Sequence, residues 1–419
     1  MTRKIPRIAY LTGQYPEVSL TFILREVEAL REMGAEVLTC SIRETPSLQH
    51  PGPAEKEAAR TTFHVLKTAK NPARLLAAQK YLLTRPTRYF RALGLAWKTR
   101  PPGLKALAYQ LIFFIEATVL SRYLEAKKVE HLHNHFVFGS ATVAMLTSEL
   151  TAIPYSFTLH GPADLFEPYR WALDEKTARA KFVSVISFFA RSQLMFFSNP
   201  EHWEKIRIIH CGVTPALYEG PPGPALPPRR MGEVRLVFVG RLAPVKGLHV
   251  LFDALMALRE EMPKLHLVLV GDGSDRARLQ EAAEPLGDMV TFTGYLSQTE
   301  VAQAMIAGDI CVLPSFAEGV PVVLMEAFAS GKPVIATQVA GVGELVEDGE
   351  SGFLVPPGDA ETLADRIRLL ADDAELRARM GAAGRAKVVA DFDIRTEAAR
   401  LARLFADAAG DELRPGTWR

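Results

Sequence analysis

Short β-rich runs alternate with helical patterns along the whole chain, and this alternation limits the possible folds more than any other feature. In the second half the runs are VRLVFVG, LHLVLVG, VTFTG, ICVLPS, PVIAT and GFLV. Strands that alternate with helices form parallel sheets with right-handed crossovers. The sequence therefore predicts an α/β fold of two doubly wound, Rossmann-like domains facing a central cleft. The runs of the first half are residues 7–12, 35–42, 131–136, 155–160, 182–187 and 206–212.

A proline-rich segment separates the two halves. Residues 214–233 read TPALYEGPPGPALPPRRMGE, a composition typical of a linker. We therefore predict an N-terminal domain over residues 1–213 and a C-terminal domain over residues 234–390. The remaining segment, 391–419, is predicted to be a helix that either caps the second domain or crosses back to the first.

Composition is that of a soluble globular enzyme. The 419 residues are 48% hydrophobic and 23% charged, and the net charge of +1 indicates no nucleic-acid partner. The cysteines Cys40, Cys211 and Cys311 form no metal-binding pattern and favour a reducing compartment. Residues 1–16 lack the apolar core of a secretory signal, and the apolar run Leu111–Leu120 is shorter than the about 20 residues that span a bilayer. These features predict a cytoplasmic protein.

One segment departs from this balance. Between Val65 and Lys128 there are thirteen Lys or Arg residues and two acidic ones, interleaved with Leu, Phe, Tyr and Trp97. Such a segment is either a set of solvated helices whose charge is balanced elsewhere, or a basic amphipathic surface. The second interpretation predicts binding to an anionic acceptor or peripheral association with the inner face of the cell membrane.

The first strand of the second half ends in a pattern that suits an anion. Gly240 closes VRLVFVG, Arg241 and Lys246 follow, and a helix is expected from about Leu248. Ligands of open α/β sheets bind at the carboxyl ends of the strands. Arginine pairs with phosphate oxygens in a forked geometry, and lysine adds a point charge. The alternative is that both cations are exposed loop residues.

Two further loops follow strands. Gly271 begins a Gly-Asp-Gly turn that is an incomplete dinucleotide fingerprint and is equally well explained by a tight turn with Ser274 as a helix cap. After VTFTG, the backbone of Tyr295 and Leu296 is expected to face a planar base.

The stretch SFAEGVPVVLMEAFASGKPVIAT contains two glutamates, Glu318 and Glu326. A helix is predicted to begin at Pro321 and to stop at Gly331. A helix N-terminus binds phosphate, and a carboxylate one and a half turns later can accept hydrogen bonds from a ribose diol. The alternative for Glu326 is a buried structural carboxylate. The backbone N–H groups predicted to bind phosphate are those at the helix start, from Gly319 through Val320 and Pro321 to Val322, although proline itself has none.

These motifs carry a resemblance. GRLAPVKG and FAEGVPVVLMEAFASGKPVIAT resemble the donor-binding signature of the retaining family-4 glycosyltransferases, which have the GT-B fold. The stretches YLTGQYPEVSLTFILREVEAL, HNHFVFGSATVAML and IPYSFTLHGPADLF resemble the N-terminal halves of bacterial exopolysaccharide members of the colanic-acid and amylovoran type.

The resemblance implies roles for particular residues. Arg241 and Lys246 correspond to the pair that neutralises the diphosphate of a nucleotide sugar. Glu326 corresponds to the glutamate that binds the ribose, and Glu318 and His160 correspond to residues at the donor sugar.

Three more positions follow from the resemblance. Asp164 is expected near the acceptor. Gly13, at the opening of the loop after the first strand, corresponds to the small residue that lets the backbone approach the phosphates or acceptor. Arg191 corresponds to a recurrent arginine of the family.

The implied reaction is transfer of a hexosyl group from a UDP- or GDP-hexose to a lipid-linked saccharide or other membrane-associated acceptor, with retention of configuration and without a cofactor. A glycolipid-forming transferase acting on a diacylglycerol-type lipid and a GT-B nucleotide-sugar epimerase are the alternatives. A noncatalytic nucleotide-sugar sensor and a dinucleotide oxidoreductase fit the motifs less well.

Two patterns raise the question of a metal. His131, His133 and His135 alternate along one strand and so share one face. Without a further ligand cluster in the sequence we predict no metal site there. The triplet 391–393, Asp-Phe-Asp, lies among the terminal helices, away from the strand ends, and is not expected to hold one either.

Overall fold

The structure is a computed structural model that describes residues 5–221 and 223–409. It divides into two compact units. The first extends to His210 and takes in the chain again from Glu397, and the second is Cys211–Thr396. Each unit is a parallel sheet with helices between successive strands, so the predicted α/β class with two Rossmann-like units is confirmed.

The first unit contains a parallel sheet of seven strands, ordered β3-β2-β1-β4-β5-β6-β7 along the sheet once numbered in chain order. The order reverses between the first and fourth strands, and this topological switch point is where open α/β sheets bind ligands. The strands are β1 (Ile8–Gln14), β2 (Val37–Arg43), β3 (Phe63–His64), β4 (His131–His135), β5 (Tyr155–Leu159), β6 (Val183–Val185) and β7 (Ile206–Ile208).

Helices α1 to α9 accompany this sheet. Proline at the start of several of them suits the first turn, where the missing N–H costs no hydrogen bond. The helices are α1 (Thr21–Glu32), α2 (Pro53–Thr61), α3 (Val65–Ala69), α4 (Pro72–Leu83), α5 (Pro86–Lys98), α6 (Leu104–Ala126), α7 (Gly139–Thr151), α8 (Leu173–Arg179) and α9 (Phe188–Phe196).

The second unit contains a parallel sheet of six strands in the order β10-β9-β8-β11-β12-β13. Its switch point lies between the first and fourth of these strands in chain order. The strands are β8 (Val234–Val239), β9 (Leu265–Val270), β10 (Val290–Gly294), β11 (Ile310–Leu313), β12 (Val334–Thr337) and β13 (Gly352–Val355). The accompanying helices are α10 (Leu248–Leu258), α11 (Arg276–Ala283), α12 (Gln298–Ala307), α13 (Val322–Ala329), α14 (Val342–Leu345), α15 (Ala360–Asp372) and α16 (Ala374–Asp391). The last helix, α17 (Ile394–Ala409), belongs to the first unit from Glu397 onward.

The proline-rich segment 214–233 packs against the second unit. Leu226 is buried among Val268, Val270 and Ala304, and Arg229 Nη2 donates to the Ala307 carbonyl at 2.7 Å. Pro222 lies outside the described residues. The described part of the segment therefore contributes to the core of the unit that follows it.

The terminal helix α17 reaches the first unit. Phe405 lies 5.2 Å from His131 and 5.3 Å from His133 between ring centroids. Its ring is buried. The Glu397 carboxylate accepts the His210 N–H at 2.9 Å. Residues 410–419 of the predicted terminal segment lie outside the described residues.

The apolar run Leu111–Leu120 is part of a helix, α6, that is longer than the run itself. α6 has 23 residues, and by length and composition alone it is long and apolar enough to cross a membrane. The run's own length was therefore too weak a reason to exclude a span. One face of α6, with Phe114, Ala117 and Leu124, is buried, and 44% of its most apolar window lies inside the structure.

Helix α13 is capped at Gly331 and packs against α16. Lys332 N–H donates to the Ala327 carbonyl at 3.0 Å and Gly331 N–H to that of Phe328 at 2.9 Å, and Gly331 has φ +68°. These bonds form a Schellman motif, so the predicted stop at Gly331 is confirmed. Gly384 of α16 packs directly on the Phe328 ring, where a Cβ atom would overlap it.

This packing predicts opposite effects of one substitution at two helical glycines. Gly384→Ala should lower the free energy of unfolding by about 1–3 kcal/mol, because the buried Phe328 ring must move. Gly94→Ala in α5 is the matched control, since a Cβ there meets nothing within 4 Å. It should raise stability by up to about 1 kcal/mol through helix propensity. Urea denaturation followed by circular dichroism measures both, and equal midpoints for the two variants would contradict the packing.

Candidate functional site

The carboxyl ends of β8 and β11 meet in the second unit through their loops. Gly247 has φ +63°, and a Cβ atom there would overlap the Pro314 carbonyl. Phe316 N–H donates to the Val245 carbonyl at 2.8 Å. The glycine therefore permits a close backbone approach that any larger residue would prevent.

The loop after β9 lies equally close to the loop after β8. Gly271 has φ +135°, and a Cβ atom there would overlap the Gly240 carbonyl. Gly240 N–H donates to the Val270 carbonyl at 3.0 Å, and Leu242 N–H to that of Asp272 at 2.9 Å. The predicted site residues Gly240 and Gly271 thus face each other at neighbouring strand ends.

Lys246 and Glu318 form the central contact of this edge. Lys246 Nζ lies 2.6 Å from Glu318 Oε1, although 72 positions separate the two residues in the chain. Their side chains are 18% and 12% exposed, so the pair is mostly shielded from water. Arg241, by contrast, is exposed and makes no ion pair with a described residue. The two predicted cations therefore differ in environment: Lys246 is held in place and Arg241 is free to reach a ligand.

The tip of α13 follows directly after Glu318. The helix begins at Val322, and Pro321 occupies the N-cap position with extended backbone, φ −70° and ψ 121°. The prediction that Pro321 is the first helical residue is therefore off by one position. Leu324 N–H donates to the Pro321 carbonyl at 3.1 Å. The N–H groups before it have no acceptor within the helix, as at any helix start, and Gly319 and Val322 are partly exposed while Val320 is buried.

Glu326 lies in the middle turn of α13 and is 6% exposed. Burial raises the pKa of the Cys311 thiol on β11, and the neighbouring Glu326 raises it further. Glu326 thus lies near β11, between the helix and the sheet. A carboxylate buried in this way requires hydrogen-bond donors, because it has lost its contact with water.

The turn after β9 has a different cap from the one predicted. Asp275, not Ser274, is the N-cap residue of α11, without a capping hydrogen bond from its side chain. Asp272 Oδ1 accepts the Gly273 N–H at 2.7 Å, and its Oδ2 accepts from Arg276 Nη1 at 2.7 Å. The turn is thus closed by Asp272.

The loop after β10 contains the residues predicted to face a base. Gly294 has φ +80° and its carbonyl accepts the Gly271 N–H at 2.9 Å. The Leu296 side chain packs against the small cluster around Val268 and Leu226. Tyr295 is partly exposed. The loop therefore lies next to Gly271, at the same edge of the sheet as Gly240.

In the first unit, Gly13 lies within β1. The strand continues through Gln14, which pairs with Arg43 of β2. The prediction that Gly13 opens the loop after the strand is therefore wrong. The residue is exposed, and a Cβ atom at Gly13 would meet nothing within 4 Å.

His160 directly follows β5, the strand next to β4. His160 Nε2 lies 2.8 Å from His135 Nδ1. The rings of Phe22 and Phe136 lie 4.7 Å and 4.8 Å from it between centroids. Burial and the neighbouring His135 hold the pKa of His160 well below its usual value. The imidazole is therefore neutral at physiological pH and can both donate and accept a hydrogen bond.

Asp164 holds the loop that contains His160. Its carboxylate accepts the His160 N–H at 2.8 Å and the Val137 N–H at 3.0 Å, and the residue is 1% exposed. Burial raises the pKa of Asp164 to about 6 against the effect of these hydrogen bonds. Lys176, whose pKa burial lowers to about 7, donates to the Val137 carbonyl at 2.6 Å. The sequence analysis did not single out this buried lysine.

Arg191 lies in α9, near the carboxyl end of β6. It is partly buried, and burial lowers its pKa. Gly13 lies near the end of β1 and the loop of His160 follows β5, whereas Arg191 follows β6, the strand beyond β5 in the sheet.

The histidines of β4 are fully inside the first unit. His133 contacts the hydroxyls of Ser156 and Thr158 through its two ring nitrogens, at 2.8 Å and 2.9 Å. Helix α1 adds Glu26, so that Glu26, His133 and His135 bring potential metal-ligand atoms within 4.8 Å of one another. This carboxylate is the ligand that the sequence pattern did not supply. The nitrogens of His133 are already engaged by hydroxyls, so these three residues fit an internal hydrogen-bond network better than a metal centre.

The sequence analysis did not identify one further polar group at the carboxyl edge of the second unit's sheet. Ser315, directly after β11, is fully buried, and its Oγ has no hydrogen-bond partner among the described residues. A buried hydroxyl without a partner is uncommon in a folded protein. Its position beside Pro314 and Phe316 places it at the edge that contains Lys246.

Comparisons with known proteins match both units. Residues 21–217 match the family model described as Glycosyltransferase Family 4, and residues 227–387 match the one described as Glycosyl transferases group 1. The chain is 27% identical to the colanic acid biosynthesis glycosyltransferase WcaL of Escherichia coli K12, and 25% identical to the amylovoran biosynthesis glycosyltransferase AmsK of Erwinia amylovora. Each of these alignments covers 92% of this chain and 96% of the relative.

Other matches are shorter or more distant. Curated relatives that are 35% and 32% identical are covered over only 38% and 50% of their own length. Among solved structures, HepE of Anabaena in complex with UDP superposes with a TM-score of 0.71 at 21% identity, covering 96% of this chain and all of that one. A second structure of HepE, in complex with UDP-glucose, has a TM-score of 0.70 at 20% identity.

The likeness to HepE shows a shared fold, and the two family models together match most of the described chain, one for each unit. The protein belongs to the family-4 glycosyltransferases with the GT-B fold.

Proposed function

We propose that the protein transfers a hexosyl group from a nucleoside diphosphate sugar to a membrane-associated saccharide, with retention of anomeric configuration. The observation that carries this proposal is the convergence of Lys246, Glu318 and the tip of α13 at one strand edge. The ion pair fixes a cation at Glu318, in the loop that leads into the start of α13. Together they form a site suited to a diphosphate.

The diphosphate is the leaving group, and its developing charge must be stabilised. Lys246 supplies a fixed positive charge, the exposed Arg241 supplies a forked donor that can close onto phosphate oxygens, and the helix tip supplies backbone donors. None of these contributions requires a metal ion, and we propose that the reaction proceeds without one.

The nucleoside would extend from the diphosphate along the same edge. Glu326, buried behind the helix start, is proposed to accept hydrogen bonds from the ribose hydroxyls. Tyr295 and Leu296 are proposed to lie against the base. The complexes of HepE with UDP and UDP-glucose favour a uridine nucleotide over a guanosine nucleotide as the donor of this chain.

The other predicted site residues are assigned to the donor sugar and to the acceptor. Glu318 is proposed to bind sugar hydroxyls and to stabilise positive charge that develops at the anomeric carbon. His160 is proposed to contact the donor sugar, with Gly13 and Arg191 near the phosphates or the acceptor. Asp164 is better suited to hold the His160 loop, because its carboxylate already accepts two backbone N–H groups.

The relatives WcaL and AmsK favour a role in exopolysaccharide synthesis, in which the acceptor is a lipid-linked saccharide. A glycolipid-forming reaction on a diacylglycerol-type lipid is the alternative acceptor class. An epimerase of the same fold is the alternative reaction, and it would convert the nucleotide sugar in the absence of any acceptor.

A surface of the first unit supports a membrane-associated acceptor. Trp97 and Leu104 are 57% and 86% exposed at the corner between α5 and α6, next to Arg100 and Lys105. Apolar side chains flanked by cations bind anionic bilayers. We therefore propose peripheral association with the inner face of the cell membrane through this α4–α6 surface. Its exposed large apolar residues are Leu76, Leu83, Phe90, Trp97, Leu104, Tyr109, Leu111, Ile112 and Ile115.

The donor site predicts two different kinetic defects. Lys246→Ala should lower kcat about a hundredfold, because it removes a fixed charge at the leaving group. Glu326→Ala should raise KM for the donor about tenfold or more with a smaller change in kcat, because it removes a charged acceptor for the ribose. Lys387→Ala is the matched control, since Lys387 pairs with Glu347 at 2.5 Å elsewhere in the same unit. Unchanged kinetics in both site variants would contradict the assignment.

The stereochemical proposal has a direct measurement. Proton NMR of the first product formed from an α-linked UDP-hexose should show an α-linked hexoside, with UDP released in equal amount. A β-linked product would show inversion. Conversion of the nucleotide sugar without an acceptor would instead support the epimerase.

The membrane proposal predicts a difference between two exposed leucines. Leu104→Glu should weaken sedimentation with phosphatidylglycerol vesicles about fivefold or more, because it removes apolar contact and adds repulsion. Leu48→Glu, at a residue that is 68% exposed outside the α4–α6 surface, is the matched control and should bind as the unaltered protein does. Equal binding of both variants, or equal binding to neutral phosphatidylcholine vesicles, would contradict the proposal.

A further inference from the structure

The first part of helix α6 projects beyond the carboxyl edge of the first unit's sheet. The Phe113 ring lies against Gly139, the first residue of α7, where a Cβ atom would overlap it. Thr147 Oγ1 of α7 lies 3.5 Å from the Ala117 carbonyl of α6, so the two helices run in the same direction. Because α7 follows β4, residues 104–112 of α6 lie past the end of that strand, over about 13 Å at 1.5 Å per residue.

This projecting part of α6 is apolar and exposed. Its sequence, LKALAYQLI, contains one charged residue, Lys105. Leu104 is 86% exposed, and Tyr109 and Ile112 are 48% and 43% exposed. These residues belong to the α4–α6 surface for which membrane association is proposed above. That surface therefore lies at the edge of the sheet where open α/β sheets bind their ligands.

A row of aromatic rings continues from this surface to the loop after β5. The rings of Tyr109 and Phe113 lie 6.4 Å apart between centroids. Phe113 contacts Gly139, the residue after Phe138, and the Phe138 ring lies 5.6 Å from that of Trp171. We call Tyr109, Phe113, Phe138 and Trp171 the aromatic strip. None of its four members is fully buried, so a ligand can contact each of them.

The strip ends in the loop that contains Asp164. Trp171 lies in this loop, between β5 and α8. The guanidinium carbon of Arg170 lies 5.6 Å from the centroid of the Trp171 ring, and Lys176 Nζ lies 5.7 Å from it. Arg170 pairs with Glu167 at 2.8 Å, and both side chains are exposed. An ion pair of this kind is weak in water, so Arg170 can exchange Glu167 for another anion.

These features suit a hydrocarbon chain that is attached to a phosphate group. An extended chain can contact the rings of the strip one after another, whereas a flat bilayer surface contacts only the exposed ones. Each apolar contact removed from water stabilises the complex, and Arg170 supplies a cation for the phosphate.

We propose that the aromatic strip binds the hydrocarbon chain of the lipid-linked acceptor where the chain leaves the bilayer. The carrier phosphate then lies near Arg170, and the attached saccharide reaches the carboxyl edge of the sheet. This inference rests on the proposed function for the identity of the acceptor, but binding of the chain is measurable without any transfer of sugar.

Binding of single lipid phosphate molecules tests the proposal. Farnesyl phosphate, decanoyl lysophosphatidic acid and inorganic phosphate are titrated in turn into the full chain by isothermal titration calorimetry, with both lipids kept below the concentrations at which they form micelles. At least one lipid phosphate should bind about tenfold or more tightly than inorganic phosphate. Preference for farnesyl phosphate identifies a prenyl carrier, and preference for the lysophosphatidic acid identifies an acyl lipid. Equal affinities for all three compounds would overturn the proposal.

Two variants locate the binding on the strip. Trp171→Gln and Tyr109→Gln should each weaken binding of the preferred lipid phosphate about tenfold, because each removes an aromatic contact. Tyr109 is 48% exposed, so its replacement tests the strip even if Trp171→Gln fails to fold. Phe196→Gln is the matched control, at an aromatic residue of the same unit that is 77% exposed outside the strip. Unchanged affinity in Tyr109→Gln and in folded Trp171→Gln would overturn the proposal.

Vesicle sedimentation separates the strip from the proposed membrane surface. Trp97→Gln, on the α4–α6 surface but outside the strip, should weaken sedimentation with phosphatidylglycerol vesicles and leave the calorimetric affinity unchanged. Trp171→Gln should have the opposite effects. Loss of both kinds of binding in both variants would overturn the strip as a separate site.

The outcomes also separate this inference from the proposed function. Lipid phosphate binding that depends on Trp171, in a preparation that transfers no hexose, would support the inference and count against the proposed function alone. Transfer of hexose to a lipid-linked saccharide, with the same KM for that acceptor in Trp171→Gln, would overturn the inference alone.

Discussion

The second unit depends on the close approach of three loops, each of which follows a strand at the same edge of the sheet. Gly247 packs on the Pro314 carbonyl and Gly271 on that of Gly240, both with positive φ, so that the backbone of one loop touches the backbone of the next. This approach brings Lys246 within 2.6 Å of Glu318. A side chain at either glycine would force the loops apart, and the cation, the carboxylate and the helix tip would no longer share one edge.

The balance of charge at this edge has a consequence for ligand binding. Lys246 is paired before any ligand arrives, so part of its attraction for an anion is already offset by Glu318. A diphosphate bound at this edge, as proposed, would therefore gain its affinity from the combination of Lys246, the helix start and the exposed Arg241, not from an unpaired cation. The same pairing pre-orders Lys246, which reduces the entropy lost when the ligand binds.

The sequence was sufficient to predict the fold and many of the residues at the carboxyl edge of the second unit's sheet. Both follow from local patterns of residues. Every long strand run was located from its apolar residues, and Gly331 was identified as the helix stop from its position alone. β3 has only two residues, Phe63 and His64, which is too short for any periodicity to reveal. Two predictions at helix starts were wrong: Pro321 as the first helical residue and Ser274 as the cap. Each concerns a single position, and the residue at which a helix begins depends on the tertiary path of the preceding loop.

Contacts between distant residues could not be predicted from one sequence. Glu26 of α1 approaches His135 of β4 only in the folded unit, and the alternating histidines gave no sign that a carboxylate would join them. Likewise, nothing near Asp164 in the chain indicated that Lys176 would lie buried beside the same loop. In both cases local patterns identified one partner, and packing supplied the other.

The most direct test of the central claim is a crystal structure of the protein with UDP-glucose. The account predicts that the diphosphate lies within hydrogen-bond distance of Lys246 Nζ and of the backbone N–H groups at the start of α13, with the ribose on Glu326. A nucleotide bound elsewhere on the second unit, or on the first unit alone, would contradict it.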